Sequence, residues 1–219
     1  MRLSRSHIIA YFISAIVLII LIIQVVDYFS VEEKAHKAAI DIDSKKKLDI
    51  IFGNDNAELS VYMYASYNCS YCRKFFTEVF PELKNSFIDN GLVNIVMRLT
   101  TKTRDQRMKR ALKAAACVNR YGNFEYLHKL LLHNPKVVFT WEFQEMIDEF
   151  SMKDPFVGEC IDGKEALKYL ESNITEFEQL NLKGTPGFVI ENTVYQGYRP
   201  AKRFKAIIKQ HLQKLKTDV

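Results

Sequence analysis

The polar and apolar positions of this chain fall into three regimes. From Ile8 to Val26 the sequence IIAYFISAIVLIILIIQVV runs nineteen residues without a charge. At about 1.5 Å per residue, a helix of that length nearly crosses the hydrocarbon core of a bilayer. A cleaved signal peptide has a shorter apolar stretch that ends in a small-residue site. Here Asp27-Tyr28-Phe29 follows instead. The expectation is an uncleaved transmembrane anchor at 8–26, a short tail at 1–7, and the bulk of the chain on one side. Arg2 and Arg5 precede the span, and Lys34 and Lys37 follow it. Positive charge therefore does not orient it.

A polar connector at 27–47 comes next. It contains EEKAHKAA, which could be partly helical, and the run Lys45-Lys46-Lys47, read as a solvated face near lipid headgroups. The pattern then turns to short periods. Leu48–Phe52 and Leu59–Ala65 are predicted strands separated by the turn Gly53-Asn54-Asp55-Asn56. In LSVYMYA, Leu59, Val61 and Met63 share one face while Tyr62 and Tyr64 share the other. Two apolar faces predict an interior strand.

The third regime has helical spacing. Phe75, Phe76, Val79, Phe80, Leu83 and Phe87 predict a helix from Cys69 to about Asp89. Pro81 lies inside it and is expected to kink it, because proline cannot bond to the carbonyl of Thr77. Asn90-Gly91 is the stop, and LVNIVMRL (92–99) is the next strand, so the order is strand, helix, parallel strand. Between 104 and 183 almost every pattern is helical, with helices predicted near 104–121, 123–133, 141–150, 154–161 and 164–182. Two short strands, Gly187–Glu191 and Thr193–Tyr195, then meet at Asn192. A last helix from Pro200 to Lys216 sets Phe204, Ile207, Ile208, His211 and Leu215 on one face. The fold class is α/β: a small mixed sheet built from 48–103 and 184–219, with an all-helical insertion at 104–183.

Composition changes this picture little. The 219 residues carry a net charge of +5, with cations scattered among nearly as many acids, which argues against a nucleic-acid partner. Five prolines, eight glycines and 48 % hydrophobic residues suit a packed core.

The cysteines carry the candidate chemistry. Asn68-Cys69-Ser70-Tyr71-Cys72 follows a predicted strand and opens a predicted helix. The free N–H groups and partial positive charge of a helix N-terminus lower a thiol pKa there. The thiolate is the species that attacks sulfur. Cys69 is thus the expected exposed nucleophile and Cys72, one turn on, the expected buried resolving thiol. A zinc half-site is the competing reading. It lacks a second ligand pair, since Cys117 and Cys160 stand alone in the sequence and no His lies near Cys72, so no metal is expected. A purely structural disulfide is a further alternative. No cofactor is expected.

Strand, CxxC, kinked helix, strand, helical insertion and then Gly184-Thr185-Pro186 before a strand: over roughly 48–216 this resembles the thioredoxin fold of DsbA-like thiol–disulfide oxidoreductases. The resemblance implies that Thr185 and a cis Pro186 face the active cysteines. It also gives Ser70 and Tyr71 supporting roles in the site and in substrate binding. Many DsbA-type oxidases have Pro-His between the cysteines, whereas Ser70-Tyr71 is similar to the DsbC and DsbG isomerases. Without the His, a less depressed thiolate pKa and a weaker oxidant are expected. Some DsbA-like proteins pair cysteines at similar places in the insertion, which implies a structural Cys117–Cys160 disulfide. Such a bond belongs to an oxidising compartment. That places the domain on the periplasmic side of the cytoplasmic membrane. The implied partners are cysteine-containing extracytoplasmic clients and a membrane redox partner of the DsbB or DsbD type.

The leading expectation is a disulfide donor. The alternatives are an isomerase or reductase, a copper-handling thioredoxin-like module with Met63 as the one extra soft ligand, and a chaperone-like domain. His128 and His133 read as partly exposed, Trp141 and Phe143 as core. No spacing selects a buried acid below Cys72.

Overall fold

The computed structural model describes residues 5–32, 35–38, 40, 42 and 44–217. Met1–Ser4 of the tail, and Glu33, Lys34, Ala39, Asp41 and Asp43 of the connector, lie outside the described residues. The chain divides into two units, 1–36 and 37–219.

The first unit is the helix α1 (Arg5–Glu32), which continues six residues beyond the apolar run. Its large apolar side chains between Tyr11 and Ile23 are exposed. Among the described residues no helix is long and apolar enough to cross a membrane. The side chains described within α1 are those of 11–24, fewer than the run Ile8–Val26 contains. The division between the units falls within a three-residue strand, β1 (Ala35–Lys37).

The second unit is built on β2 (Ile50–Phe52), β3 (Leu59–Ala65), β4 (Val93–Leu99), β5 (Gly187–Ile190) and β6 (Thr193–Gln196). Their order in the sheet is β6-β5-β3-β4-β2. β3 runs parallel to β4, with Val61 opposite Ile95, and antiparallel to β5, with Tyr62 opposite Val189. Placing β3 at the centre explains its two apolar faces. Leu59, Val61 and Met63 enter the main core, while Tyr62 and Tyr64 enter a second, smaller one. β2 is shorter than expected. Leu48 belongs to a turn closed by the Asp49 N–H on the Lys46 carbonyl (3.0 Å). After β2, Gly53 sits at φ +108°, a conformation that side chains disfavour.

The helix after β3 differs from its expected form. It consists of α2 (Ser70–Lys74), a π-helical turn (Phe75–Val79), α3 (Phe80–Leu83) and a second π turn (Lys84–Ile88). A prolyl ring clashes with the carbonyl four residues earlier. Here the backbone widens ahead of Pro81, and the Phe80 N–H reaches back five residues to Phe75. The strain is thus absorbed as a π bulge. Phe75 packs on Phe188 of β5 and on Phe204 of the last helix, with ring centroids 5.2 and 5.6 Å away.

The insertion comprises α4 (Gln106–Tyr121), α5 (Phe124–His133), a 3₁₀ turn (Pro135–Phe139), α6 (Trp141–Lys153), α7 (Pro155–Asp162) and α8 (Lys164–Gln179). Asp105, Asn123, Thr140 and Asp154 each cap a following helix by accepting a backbone N–H. The last helix, α9 (Ala201–Thr217), buries Phe204, Ile208, His211 and Leu212.

Three expectations need correction. Lys45, Lys46 and Lys47 are not a free solvated face. They pair with Asp55, Glu176 and Glu165, the last two on α8, and Lys46 also donates to Asn173 (2.7 Å). His128 is buried, not partly exposed, while Trp141 is 66 % exposed and is not core. The apolar contacts that would have buried Trp141 are made instead by Phe143 and Ile147, one face of α6.

Candidate active site

β3 delivers the chain to the site. Its last residue, Ala65, is followed by a turn in which the Cys69 N–H donates to the Ser66 carbonyl (3.1 Å) and the Ser66 hydroxyl donates to Asn68 Oδ1 (2.7 Å). The Arg73 guanidinium returns to the Tyr67 carbonyl (3.1 Å). Cys69 is the residue capping α2, with extended backbone (φ −84°, ψ 116°). Its sulfur accepts the Cys72 backbone N–H at 3.3 Å. A sulfur in the capping position takes the place usually held by a serine or aspartate oxygen.

Across from it the bond between Thr185 and Pro186 is cis, and the Cys69 thiol donates to the Thr185 carbonyl at 3.0 Å. Residues separated by 116 positions thus meet at one sulfur. Cys72 is buried in the main core. Both cysteines are free thiols.

This placement separates the two sulfurs chemically. The Cys69 pKa is lowered to about 5, first by the Cys72 thiol, against the opposing effect of burial, and then by Thr185 and the N–H groups of Cys72 and Tyr71. Burial pushes the Cys72 thiol well above its ordinary value, and the neighbouring Cys69 adds to that. At neutral pH Cys69 is therefore a thiolate, the proton donated to the Thr185 carbonyl belonging to its acid form, and Cys72 is a protonated thiol. A value near 5 lies between about 7 for thioredoxin and about 3.5 for a strong oxidase of the DsbA type. The absence of a His between the cysteines thus leaves a thiolate stabilised first by the Cys72 thiol, with Thr185 and the backbone N–H groups adding to it.

Ser70 and Tyr71 are exposed beside the pair. Tyr71 lies 6.1 Å, centroid to centroid, from Tyr198, which the sequence did not single out. Tyr198 donates to Glu78 (2.8 Å), with the Lys74 ammonium 5.0 Å from its ring. A second unforeseen contact lies below the turn. His128 of α5 sits among Phe52, Phe76, Phe124 and Tyr67, and its Nδ1 is 2.9 Å from the Tyr67 hydroxyl. Burial lowers its pKa to about 4, so it is neutral. In FEYLHKLLLH His128 lies one residue from Leu127 and three from Leu131, both buried, but this local pattern does not show the aromatic partners that enclose it.

Cys117 of α4 and Cys160 of α7 form a disulfide in the core of the insertion. Among the described residues no group of three or more His, Cys, Asp or Glu could hold a metal ion.

The model of the family described as thioredoxin matches residues 45–210. A Rickettsia conorii relative, named provisionally as a protein-disulfide oxidoreductase, is 25 % identical over 172 residues, covering 75 % of this chain. This chain spans only 60 % of that relative's length. The crystal structure of Wolbachia pipientis alpha-DsbA1 superposes with a TM-score of 0.62 at 20 % identity, covering 80 % of this chain and 96 % of that one. Oxidised BdbD from Bacillus subtilis gives 0.61 at 17 % identity, covering 80 % and 99 %. At these identities the likeness of the structures is one of fold. With the family model spanning most of its length, the chain belongs to the thioredoxin family, with a helical insertion between the halves of the sheet.

Proposed function

We propose that this chain is a membrane-anchored protein thiol–disulfide oxidoreductase that works mainly as a disulfide donor to extracytoplasmic clients. The observation that carries the reading is the unequal pair: a half-buried Cys69 thiolate against the Thr185–Pro186 loop and a buried, protonated Cys72. A depressed nucleophile pKa stabilises the reduced pair and so favours handing the disulfide on.

In that direction a client thiolate attacks Cys69 of the Cys69–Cys72 disulfide. The sulfur–sulfur bond breaks, Cys72 leaves with the electron pair and takes a proton, and client and Cys69 share a mixed disulfide. A second client thiolate then attacks the client's own sulfur and releases Cys69 as a thiolate. Two electrons pass from client to protein. A membrane partner of the DsbB type, accepting those two electrons, would reset the pair to the disulfide, whereas a DsbD-type partner would supply electrons and belongs to the isomerase or reductase reading.

Anchoring rests on the uncharged run Ile8–Val26 within α1, whose 28 residues extend about 42 Å. The buried Cys117–Cys160 disulfide supports an oxidising, periplasmic setting. The isomerase or reductase reading is favoured by Tyr71 before the second cysteine. One preparation tests the proposal: membranes of expressing cells, washed with alkaline carbonate, followed by a redox titration of the protein they retain. The expected result is a retained protein with a potential well above the value of about −270 mV typical of thioredoxin. Release into the wash removes the anchor, and a potential at the thioredoxin value removes the donor role.

A further inference from the structure

Beside the Thr185–Pro186 loop two hollows adjoin. The nearer one, of about 200 Å³, is walled by Ser66, Asn68, Thr100, Thr103 and Thr185. The farther one, of about 540 Å³, carries Lys102, Arg104, Lys109 and Lys183. Thr101, Lys102, Thr103 and Phe177 belong to both, so the hollows form one groove that starts at the residues flanking Cys69. Its floor is rich in hydroxyls and its outer part in cations. Glu178 is the one carboxylate among the residues lining it.

Among the described residues the cations of the insertion and its surroundings divide into those paired with a carboxylate and those unpaired, and Lys113, Arg120, Lys136, Lys164 and Lys168 are unpaired like those of the groove. Lys45, Lys46 and Lys47 each hold a carboxylate, as do Arg107, Arg110, Lys129 and Lys153. Among the described residues Arg104, Lys109 and Lys183 have no carboxylate within 4.0 Å. Lys102 donates to the Lys183 carbonyl (2.8 Å) and lies over the Phe177 ring at 5.4 Å, so its ammonium is fixed in place without being neutralised. Unneutralised cations in a concave, partly desolvated surface attract anions more strongly than the same charges on a convex face.

We infer that this groove is a specificity subsite, taking an Asp- and Glu-rich segment on one flank of a client's reactive cysteine. The inference rests on the proposed thiol–disulfide exchange at Cys69 and adds to it which clients are exchanged fastest. The geometry gives the reason. A client sulfur bonded to Cys69 places its own chain against the Thr185 loop, and the chain leaving on the Thr101–Thr103 side enters the groove within a few residues. Its backbone can meet the hydroxyls of the nearer hollow, and its carboxylates can meet Lys102, Arg104, Lys109 and Lys183 beyond. The aromatic pair Tyr71–Tyr198 is not part of the groove lining, and the cation beside it, Lys74, lies 3.8 Å from the Glu78 carboxylate.

The test uses the full-length oxidised protein in an uncharged detergent. Dithiol peptides of one length are compared, carrying three Glu on the N-terminal flank, three Glu on the C-terminal flank, three Ser, or three Lys. The expected result is a kcat/KM about tenfold higher for one acidic peptide than for the Ser peptide at low ionic strength, with the Lys peptide slowest. That advantage disappears in about 0.5 M salt, where the Debye length is only a few ångströms. It also disappears in the Arg104→Glu, Lys183→Glu double variant, both of whose sites are exposed. The Ser peptide is oxidised equally by wild type and variant. Equal rates for acidic and Ser peptides, or a preference that survives in the variant, overturn the inference. A second measurement separates this from failure of the redox reading: the affinity of the acidic peptide with Ser in place of both cysteines. If no peptide is oxidised, yet this analogue binds wild type about tenfold better than the variant, the groove stands and the exchange reaction falls.

Discussion

The molecule holds two cysteine pairs, and they do opposite things. Cys69 and Cys72 are three residues apart at the start of a helix, while Cys117 and Cys160 are 43 apart in the middle of α4 and near the end of α7. The first pair has a sulfur at a helix cap, facing unpaired N–H groups and partly open to solvent. The second is buried in the apolar core, where burial disfavours a thiolate. The same element is thus a nucleophile in one place and a staple in the other, and the backbone around it makes the difference.

The largest effect separates the pairs by activity. Cys69→Ser is expected to abolish exchange, a loss of at least about a thousandfold. Cys72→Ser is expected to leave Cys69 able to attack and to accumulate the mixed disulfide, visible as a shifted band on non-reducing gels. If a Cys69→Ser protein still oxidises peptides, the assignment of the nucleophile is wrong.

The reverse pattern is expected of the insertion. Replacing Cys117 and Cys160 together with Ala is expected to lower stability by about 4 kcal/mol, because the disulfide closes a loop of 43 residues. Urea unfolding measures this, and kcat for a neutral peptide is expected to stay within about twofold. A double variant that loses turnover while still folded would show that the staple also shapes the site.

How much of this was legible in the sequence follows from which interactions are local. The central strand was readable because LSVYMYA is apolar on both faces, and the cap because a CxxC opens an amphipathic run. The Thr185 contact was reachable only through the family resemblance, since nothing local ties residue 185 to residue 69. The π bulge was not legible. Pro81 announces a distortion, but whether a helix kinks or widens depends on what Phe75, Phe76 and Phe80 pack against. Lys46 and Lys47 looked solvated because their partners Glu176 and Glu165 lie more than a hundred residues away. His128 was misjudged for a related reason. A histidine is amphipathic in sequence, and only the arrival of Phe52, Phe76 and Tyr67 from the sheet side encloses it.

That histidine is where the helical insertion touches the turn leading to Cys69, and its titration gives the smallest of the three effects. Its folded pKa is about 4, below the unfolded value of 6.5, because burial penalises the imidazolium. Between these values the unfolded chain binds more protons, so stability rises with pH across the window. The neutral ring's contribution is present in full above pH 6.5 and is lost progressively as pH falls towards 4. The shift of about 2.5 units corresponds to roughly 3 kcal/mol, most of it spent by pH 4.5. Urea midpoints at pH 7 and pH 4.5 measure the loss in wild type. The Tyr67→Phe, His128→Phe double variant keeps the aromatic cluster and removes both the titrating ring and the hydroxyl it would orphan. Its stability is expected to fall by about 2–3 kcal/mol less over the same interval. An identical loss in the variant would mean that the acid sensitivity arises elsewhere than at this ring. A smaller loss, together with an unchanged pH profile for Cys69 alkylation, would show that the insertion supports the turn mechanically and leaves the electrostatics of the nucleophile to the helix cap.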